Sequence, residues 1–296
     1  MGALVQNLIN ALTIGSTYAL VAVGFTLIFG VLQVVYLGHA AVLAACAYIG
    51  YVTILYTGSA IAALAAGTVS GAVLGVIIER IAVRPVRGQN HLIPMATSAS
   101  VAVIIEEIMR LSVESGQAIS YPDAFTSKVI HLHIGGATPY FTVAQALVVA
   151  LAIVLVLGLT FIVQRTWLGR SIRAVADNEQ VAAMLGVRVN ATSSRTLALA
   201  SMLAGAAGVL LALSLSSIDP YFAAPLQFKA LAIVLFAGMG SLPGAVIGGY
   251  LLGFVEAFAM AYLDSSYRDL FAFVMMIAIL MVRPQGLFGR RVAQRV

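Results

Sequence analysis

The apolar residues of this chain fall in long unbroken blocks and do not alternate with polar ones. Ala60 to Ile78 carries no charge, nor does Phe141 to Val163, and Leu197 to Ile218 is a third such block. About 20 apolar residues in a row make a helix long enough to cross the hydrocarbon core of a bilayer. Reading apolar runs against breakers predicts nine segments: Leu4–Phe29, Val34–Tyr56, Ala60–Val83, Leu92–Val113, Phe141–Gln164, Thr192–Ser216, Leu226–Met239, Ala245–Tyr262 and Leu270–Val282. Two depart from the pattern. Val34–Tyr56 contains Gly38-His39, a predicted break, and Leu226–Met239 is short enough to be re-entrant. The expected fold class is all-α: a polytopic transmembrane helical bundle of about 8–10 membrane segments, in one transmembrane domain over residues 1–296.

Composition supports the same class. Hydrophobic residues make up 61% of the 296 and charged residues 9%, against roughly 25% charged in soluble domains. A chain of this size cannot hide so many apolar helices inside a polar shell, which excludes a soluble protein. No Lys or Arg precedes Arg80, and the first segment holds Asn7, Asn10 and Thr13. It therefore lacks the basic leader of a secretion signal and reads as a retained span. Cys46 is the single cysteine, so no intrachain disulfide is possible.

The charges are clustered. Arg80, Arg84 and Arg87 form one group, Arg165, Arg170, Arg173, Arg188 and Arg195 a second, and Arg283, Arg290, Arg291 and Arg295 a third. Two predicted spans separate the first two groups and four separate the last two, so all three reach one face. Basic residues in short loops mark the cytoplasmic side. The expected topology is an N-terminus outside, a C-terminus inside, and a location in the inner (plasma) membrane. The net charge of +5 is then a topology signal. No basic stripe is interleaved with aromatics, so no nucleic-acid partner is expected, and membrane lipid is.

The longest outer loop, 114–140, carries Asp123, Lys128, His131 and His133. Two histidines do not make a metal site. The loop reads as a solvated partner contact, with neither metal nor cofactor. The longest polar stretch on the other face is 167–191. Within it Arg170–Leu185 reads as a short amphipathic helix: Ile172, Val175, Ala176, Val181, Ala182 and Leu185 share a face, while Arg173, Asp177, Asn178 and Glu179 turn elsewhere. Gly186 ends it as a C-cap glycine would. Such a helix either lies on the headgroups or docks into a groove of a soluble partner.

Ionisable residues inside spans are costly and mark function or pairing. Here they are His39, Glu106, Glu107, Lys229 and Glu256. Glu106 and Arg110, at i and i+4, are a predicted ion pair. Lys229 is expected to snorkel outward. Glu256 reads either as a hydrogen bond to a neighbouring helix or as a point on a transport path. Asn10, Thr13, Thr17, Thr97, Ser98 and Ser100 could line such a path or bond between helices. Gly244, Gly248, Gly249 and Gly253 form a small-residue face for close helix packing. No G-x-x-x-x-G-K-[ST] phosphate loop occurs, and no span carries a Ser/His/Asp, paired-carboxylate or HExxH arrangement. The chain is expected to have no catalytic residues and is not an enzyme.

Four stretches carry a family resemblance. They are Leu8–Val35 (LINALTIGSTYALVAVGFTLIFGVLQVV), Arg173–Asn190 (RAVADNEQVAAMLGVRVN), Lys229–Ala257, and Tyr267–Gly289. The strings GMGSLPGAVIGG and RPQGLFG are the most specific parts. The chain resembles the H-type permease of branched-chain amino acid ABC transporters over nearly its whole length. The resemblance implies a second homologous permease subunit, two ATP-binding subunits beneath the pair, and a periplasmic or surface substrate-binding protein. It makes the 167–191 segment a coupling loop, with Arg170, Arg173, Asp177, Glu179, Ala183 and Gly186 facing the ATPase. The expected pathway residues are Asn10, Thr13, Thr17, Tyr36, His39, Thr97, Ser98 and Glu256. The family's Asn-Phe-Ala-His-Gly turn reads Tyr36-Leu37-Gly38-His39-Ala40 here, a departure that leaves open cargo such as urea, short amides or a monosaccharide. An ion-coupled secondary transporter is the competing class.

Overall fold

The computed structural model describes residues 2–90, 92–112, 117–122, 129–131, 140–215, 217–263, 267–283 and 285–288. The helices are α1 (Gly2–Leu32), α2 (His39–Thr57), α3 (Ala60–Ile78), α4 (Leu92–Ser112), α5 (Val143–Arg165), α6 (Trp167–Asp177), α7 (Glu179–Met184), α8 (Val189–Leu215), α9 (Ala224–Ala237), α10 (Leu242–Tyr262) and α11 (Arg268–Val282). Among the described residues, seven helices are long and apolar enough to cross a membrane: α1, α2, α3, α4, α5, α8 and α10. The 14 residues of α9 rise about 21 Å, short of the ~30 Å hydrocarbon core, so this segment is an incomplete crossing. The chain is a multi-pass helical membrane bundle.

Local chemistry sets the helix ends. Thr142 and Gln145 form a capping box at the start of α5. The α3 helix continues through a π-helical turn, Glu79–Val83, and a 3-10 turn, Arg84–Val86. Pro85 then denies the backbone an N–H and the helix stops. The expected crossing Val34–Tyr56 is corrected: the helix starts only at His39, because residues 33–38 form an interruption.

The core is the pairing of α1 with α10 and of α3 with α8, and α1 and α8 also pack on each other. Only glycine fits where α10 meets α1: a Cβ on Gly249 would stand 2.5 Å from the Ala19 nitrogen, and one on Gly253 would press into the Gly15 backbone. Gly248 instead faces Ile233 and Phe236 of α9. The small-residue face of α10 is thus internal packing. Gly15 opposite Gly253 and Ala19 opposite Gly249 also make the two helices antiparallel.

The first two arginine groups meet as expected, and of the third only Arg283 is described. Arg87 bonds Asn190 and Ser193 at the start of α8, and Gln33 at the end of α1 bonds the Ala176 carbonyl of α6. Since α10 runs antiparallel to α1, its start and the end of α9 lie toward this basic face. There the C-terminal segment covers the end of α9: Leu287 and Phe288 donate N–H bonds of 2.8 and 2.9 Å to the Phe236 and Ala237 carbonyls. The opposite face carries two small antiparallel ladders, β1 (Ile119–Ser120) with β4 (Ser217–Ile218) and β2 (Val129–His131) with β3 (Tyr140–Thr142). Asp123, Lys128 and His133 of the expected outer loop lie outside the described residues, as do Arg290, Arg291 and Arg295.

Candidate functional site

The helix interruption leaves backbone groups that the membrane interior cannot hydrate. Two side chains from other helices take them up. Gln227 of α9 accepts the Ala40 N–H at 3.0 Å and donates to the Tyr36 carbonyl at 3.2 Å. Ser98 of α4 accepts the Leu37 N–H at 3.1 Å. Tyr36 and His39 are both buried within this turn, and the His39 ring stands edge-on to Phe25 at 6.1 Å. Tyr36, His39 and Ser98 therefore belong to one structural joint. Thr97 is not part of it; its hydroxyl bonds back to the Ile93 carbonyl.

Asn10, Thr13 and Thr17 line one wall of a cavity of about 530 Å³ in the half of the bundle away from the basic face. Gln145 joins them from α5, its amide 3.4 Å from the Asn10 oxygen. Leu211, Leu213, Leu226 and Met260 make an apolar wall, and Tyr18 and Arg268 also line the cavity. One cavity thus offers hydroxyl and amide groups on one side and aliphatic surface on the other, which suits a small amphipathic solute.

Against this cavity sits a buried ionic cluster. Glu256 is 0% exposed. Its carboxylate takes Lys229 Nζ at 2.8 Å, Arg268 Nε at 2.6 Å and the Tyr18 hydroxyl at 2.6 Å. Lys229 also reaches Asp269 at 2.8 Å, and Arg268 donates to the Tyr18 oxygen at 2.6 Å. Two cations and two anions leave the cluster neutral, so it ties α1, α9, α10 and α11 together without an unpaired buried charge. Two expectations are corrected here. Lys229 does not snorkel, because the buried Glu256 carboxylate holds it inside, with the exposed Asp269 as a second partner. Arg110 pairs with Glu107 at i+3, not Glu106, with contacts of 2.9 and 2.5 Å, because the i+3 geometry allows a two-pronged approach.

On the basic face the expected single amphipathic helix is two helices. Asn178 takes an extended conformation (φ −161°) and its side chain caps α7 by accepting the Val181 N–H at 3.0 Å. That cap is what breaks the run. Gly186, at φ +83°, turns the chain after α7 as a helix-ending glycine does. Ile172 and Val175 of α6 are buried, so α6 packs on the bundle. Besides Trp167 at the start of α6, the exposed apolar side chains are on and after α7: Val181, Met184 (85% exposed) and Leu185 (78%). Ala183 and Glu179 flank them, with Glu179 at 3.7 Å from Arg87. Arg170 lies over the exposed Trp167 ring at 4.9 Å. Arg173 points back to the Val163 carbonyl and closes the end of α5. Asp177 lines a groove of about 850 Å³ between α6, α7, the end of α1 and the Arg84–Gln89 turn.

Gln227, Tyr18, Lys229, Arg268, Asp269 and Arg87 were not among the expected site residues. One signal could have found part of the set: a lone Lys in one apolar segment and a lone Glu in another call for each other. Gln227 sits in an ordinary-looking stretch and gave no such signal.

Among the described residues, seven helices long enough to cross a membrane, with an amphipathic cavity among them and an exposed apolar ridge at one end of the bundle, are the build of a multi-pass membrane protein that handles a solute. The profile of the family described as branched-chain amino acid transport system / permease component matches residues 7–280. The chain belongs to this family. It is 31% identical over 302 residues to the high-affinity branched-chain amino acid transport system permease protein LivH of Escherichia coli (strain K12), covering 98% of this chain and 97% of that one. It is 31% identical over 300 residues to the corresponding protein BraD of Pseudomonas aeruginosa, with the same coverage of both chains. The probable branched-chain amino acid transport permease protein LivH of Methanocaldococcus jannaschii is 27% identical over 232 residues, 75% of this chain and 72% of that one. A family permease of this kind works with separate ATPase and substrate-binding components.

Proposed function

We propose that this chain is the H-type permease subunit of an importer of branched-chain amino acids. It would pair with a second homologous permease, stand on two ATP-binding subunits and receive cargo from a periplasmic or surface binding protein. The basic face is cytoplasmic on this reading. The observation that carries the proposal is the α7 ridge: Val181, Met184 and Leu185 stand exposed on a polar membrane face with charged neighbours Arg170, Asp177 and Glu179. An apolar ridge with charged flanks fits a groove on a soluble subunit. Ala183 and Gly186 belong to the same surface. The amphipathic cavity at Asn10, Thr13 and Thr17 is the outer part of the pathway, and Glu256 supports its wall. Tyr36, His39 and Ser98 set the interruption below it.

Paired Glu256 gives no support to ion coupling, since both of its oxygens already face cations. Uptake of leucine into vesicles that retain ATP but hold no ion gradient tests the reading. Uptake that survives collapse of the gradient and stops on ATP depletion supports the importer; uptake that follows the gradient contradicts it.

A further inference from the structure

The permease reading leaves one charged recess unused. Arg80 and Arg84, at the foot of α3, face Arg188 and Arg195, at the foot of α8, across a hollow of about 510 Å³. All four side chains are exposed, and none makes an ion pair among the described residues. No carboxylate lines the hollow; Glu79, next to Arg80 in sequence, is buried and accepts the hydroxyl of Ser194, which does line it. Four guanidiniums so placed repel one another and call for an anion with several acceptor oxygens.

The apolar side of the hollow indicates the anion's source. Val76 and Ala198 line it, and Val73 and Val69 continue the same α3 face upward, both exposed. From Ala60 to Arg80 the helix rises about 30 Å, the thickness of the hydrocarbon core. The guanidiniums therefore stand at headgroup depth, with an uncovered aliphatic track directly above them. A soluble anion has no use for that track, whereas an acyl chain fits it.

We propose that this recess is a binding site for one anionic phospholipid, its phosphate held by Arg80, Arg84, Arg188 and Arg195 and its acyl chain laid along Val76, Val73 and Val69. The lipid would fasten the foot of α3 to the foot of α8, next to the Arg87 contacts with Asn190 and Ser193.

The test uses the full chain, purified in mild detergent with phosphatidylglycerol added, and counts retained lipid by native mass spectrometry. Wild type is expected to retain one phosphatidylglycerol in preference to phosphatidylcholine. Arg80→Gln/Arg84→Gln is expected to weaken retention about thirtyfold, and Arg195→Gln alone, which leaves α3 untouched, about fivefold. Arg165→Gln/Arg283→Gln removes the same charge from outside the recess and is expected to retain the lipid as wild type does. Equal loss in that control, or no loss in the recess variants, would overturn the site. So would displacement of the lipid by millimolar inorganic phosphate, which would make this a soluble-anion site, or its displacement by bound ATPase subunits, which would make it a protein interface.

Discussion

Lys229 and Glu256 meet at 2.8 Å inside the bundle, on α9 and α10, with Arg268 closing on the same carboxylate from α11. Glu256 keeps Arg268 and Lys229 keeps Asp269 when the other is removed, so each single change unbalances the cluster and should cost part of the about 3–5 kcal/mol of a fully stranded buried charge. Glu256→Gln or Lys229→Met should each lower thermal stability in detergent. The double variant Lys229→Met/Glu256→Gln removes one charge of each sign, leaves the cluster neutral and should recover most of the loss. Melting curves of the three proteins check this; additive losses would contradict the pairing.

The joint between α1 and α2 rests on Gln227. Gln227→Leu leaves the Ala40 N–H and the Tyr36 carbonyl unpaired in a buried setting, at about 1–3 kcal/mol for each group. Hydrogen exchange at the start of α2 should rise well above that of α8. Unchanged exchange there would mean the interruption is held by other contacts.

Much of this architecture was legible in the sequence, for reasons that particular residues explain. Span-length apolar blocks and clustered arginines are properties of local composition, so the crossing helices and the shared basic face could be read directly. The break at Gly38-His39 could be seen, but not its repair, because Gln227 lies 187 positions from Ala40. Lys229 was misread because its partners, Glu256 and Asp269, come from helices that only tertiary packing brings near. Asn178 looked like one polar residue on an amphipathic face, yet its competition for the backbone, as an N-cap, divided the helix.

Glycine at 253 is required by the Gly15 backbone, while Gly158 of α5 has nothing within 4 Å of where a Cβ would stand. Gly253→Val should force α1 and α10 apart, at a cost of about 1–3 kcal/mol or more. Gly158→Ala should be tolerated, and in a helix interior should stabilise slightly. Yield and monodispersity on size exclusion separate the two; equal behaviour would contradict the packing.

Thr13→Val keeps the shape of the cavity wall and removes a hydroxyl, and Asn10→Ala removes the amide that meets Gln145. Both should reduce leucine uptake several-fold while leaving co-purification of the ATPase unchanged. Normal uptake in both would remove this cavity from the pathway.

The central claim is that the α7 ridge docks the motor. Affinity purification of the tagged chain from mild detergent, followed by mass spectrometry, tests it most directly with Met184→Asp/Leu185→Asp beside wild type. The account predicts that wild type brings down ATP-binding subunits and a second permease, and that the double variant keeps the permease but loses the ATP-binding subunits. Retention of those subunits by a folded variant, or wild-type chain recovered alone and active in transport, would contradict it.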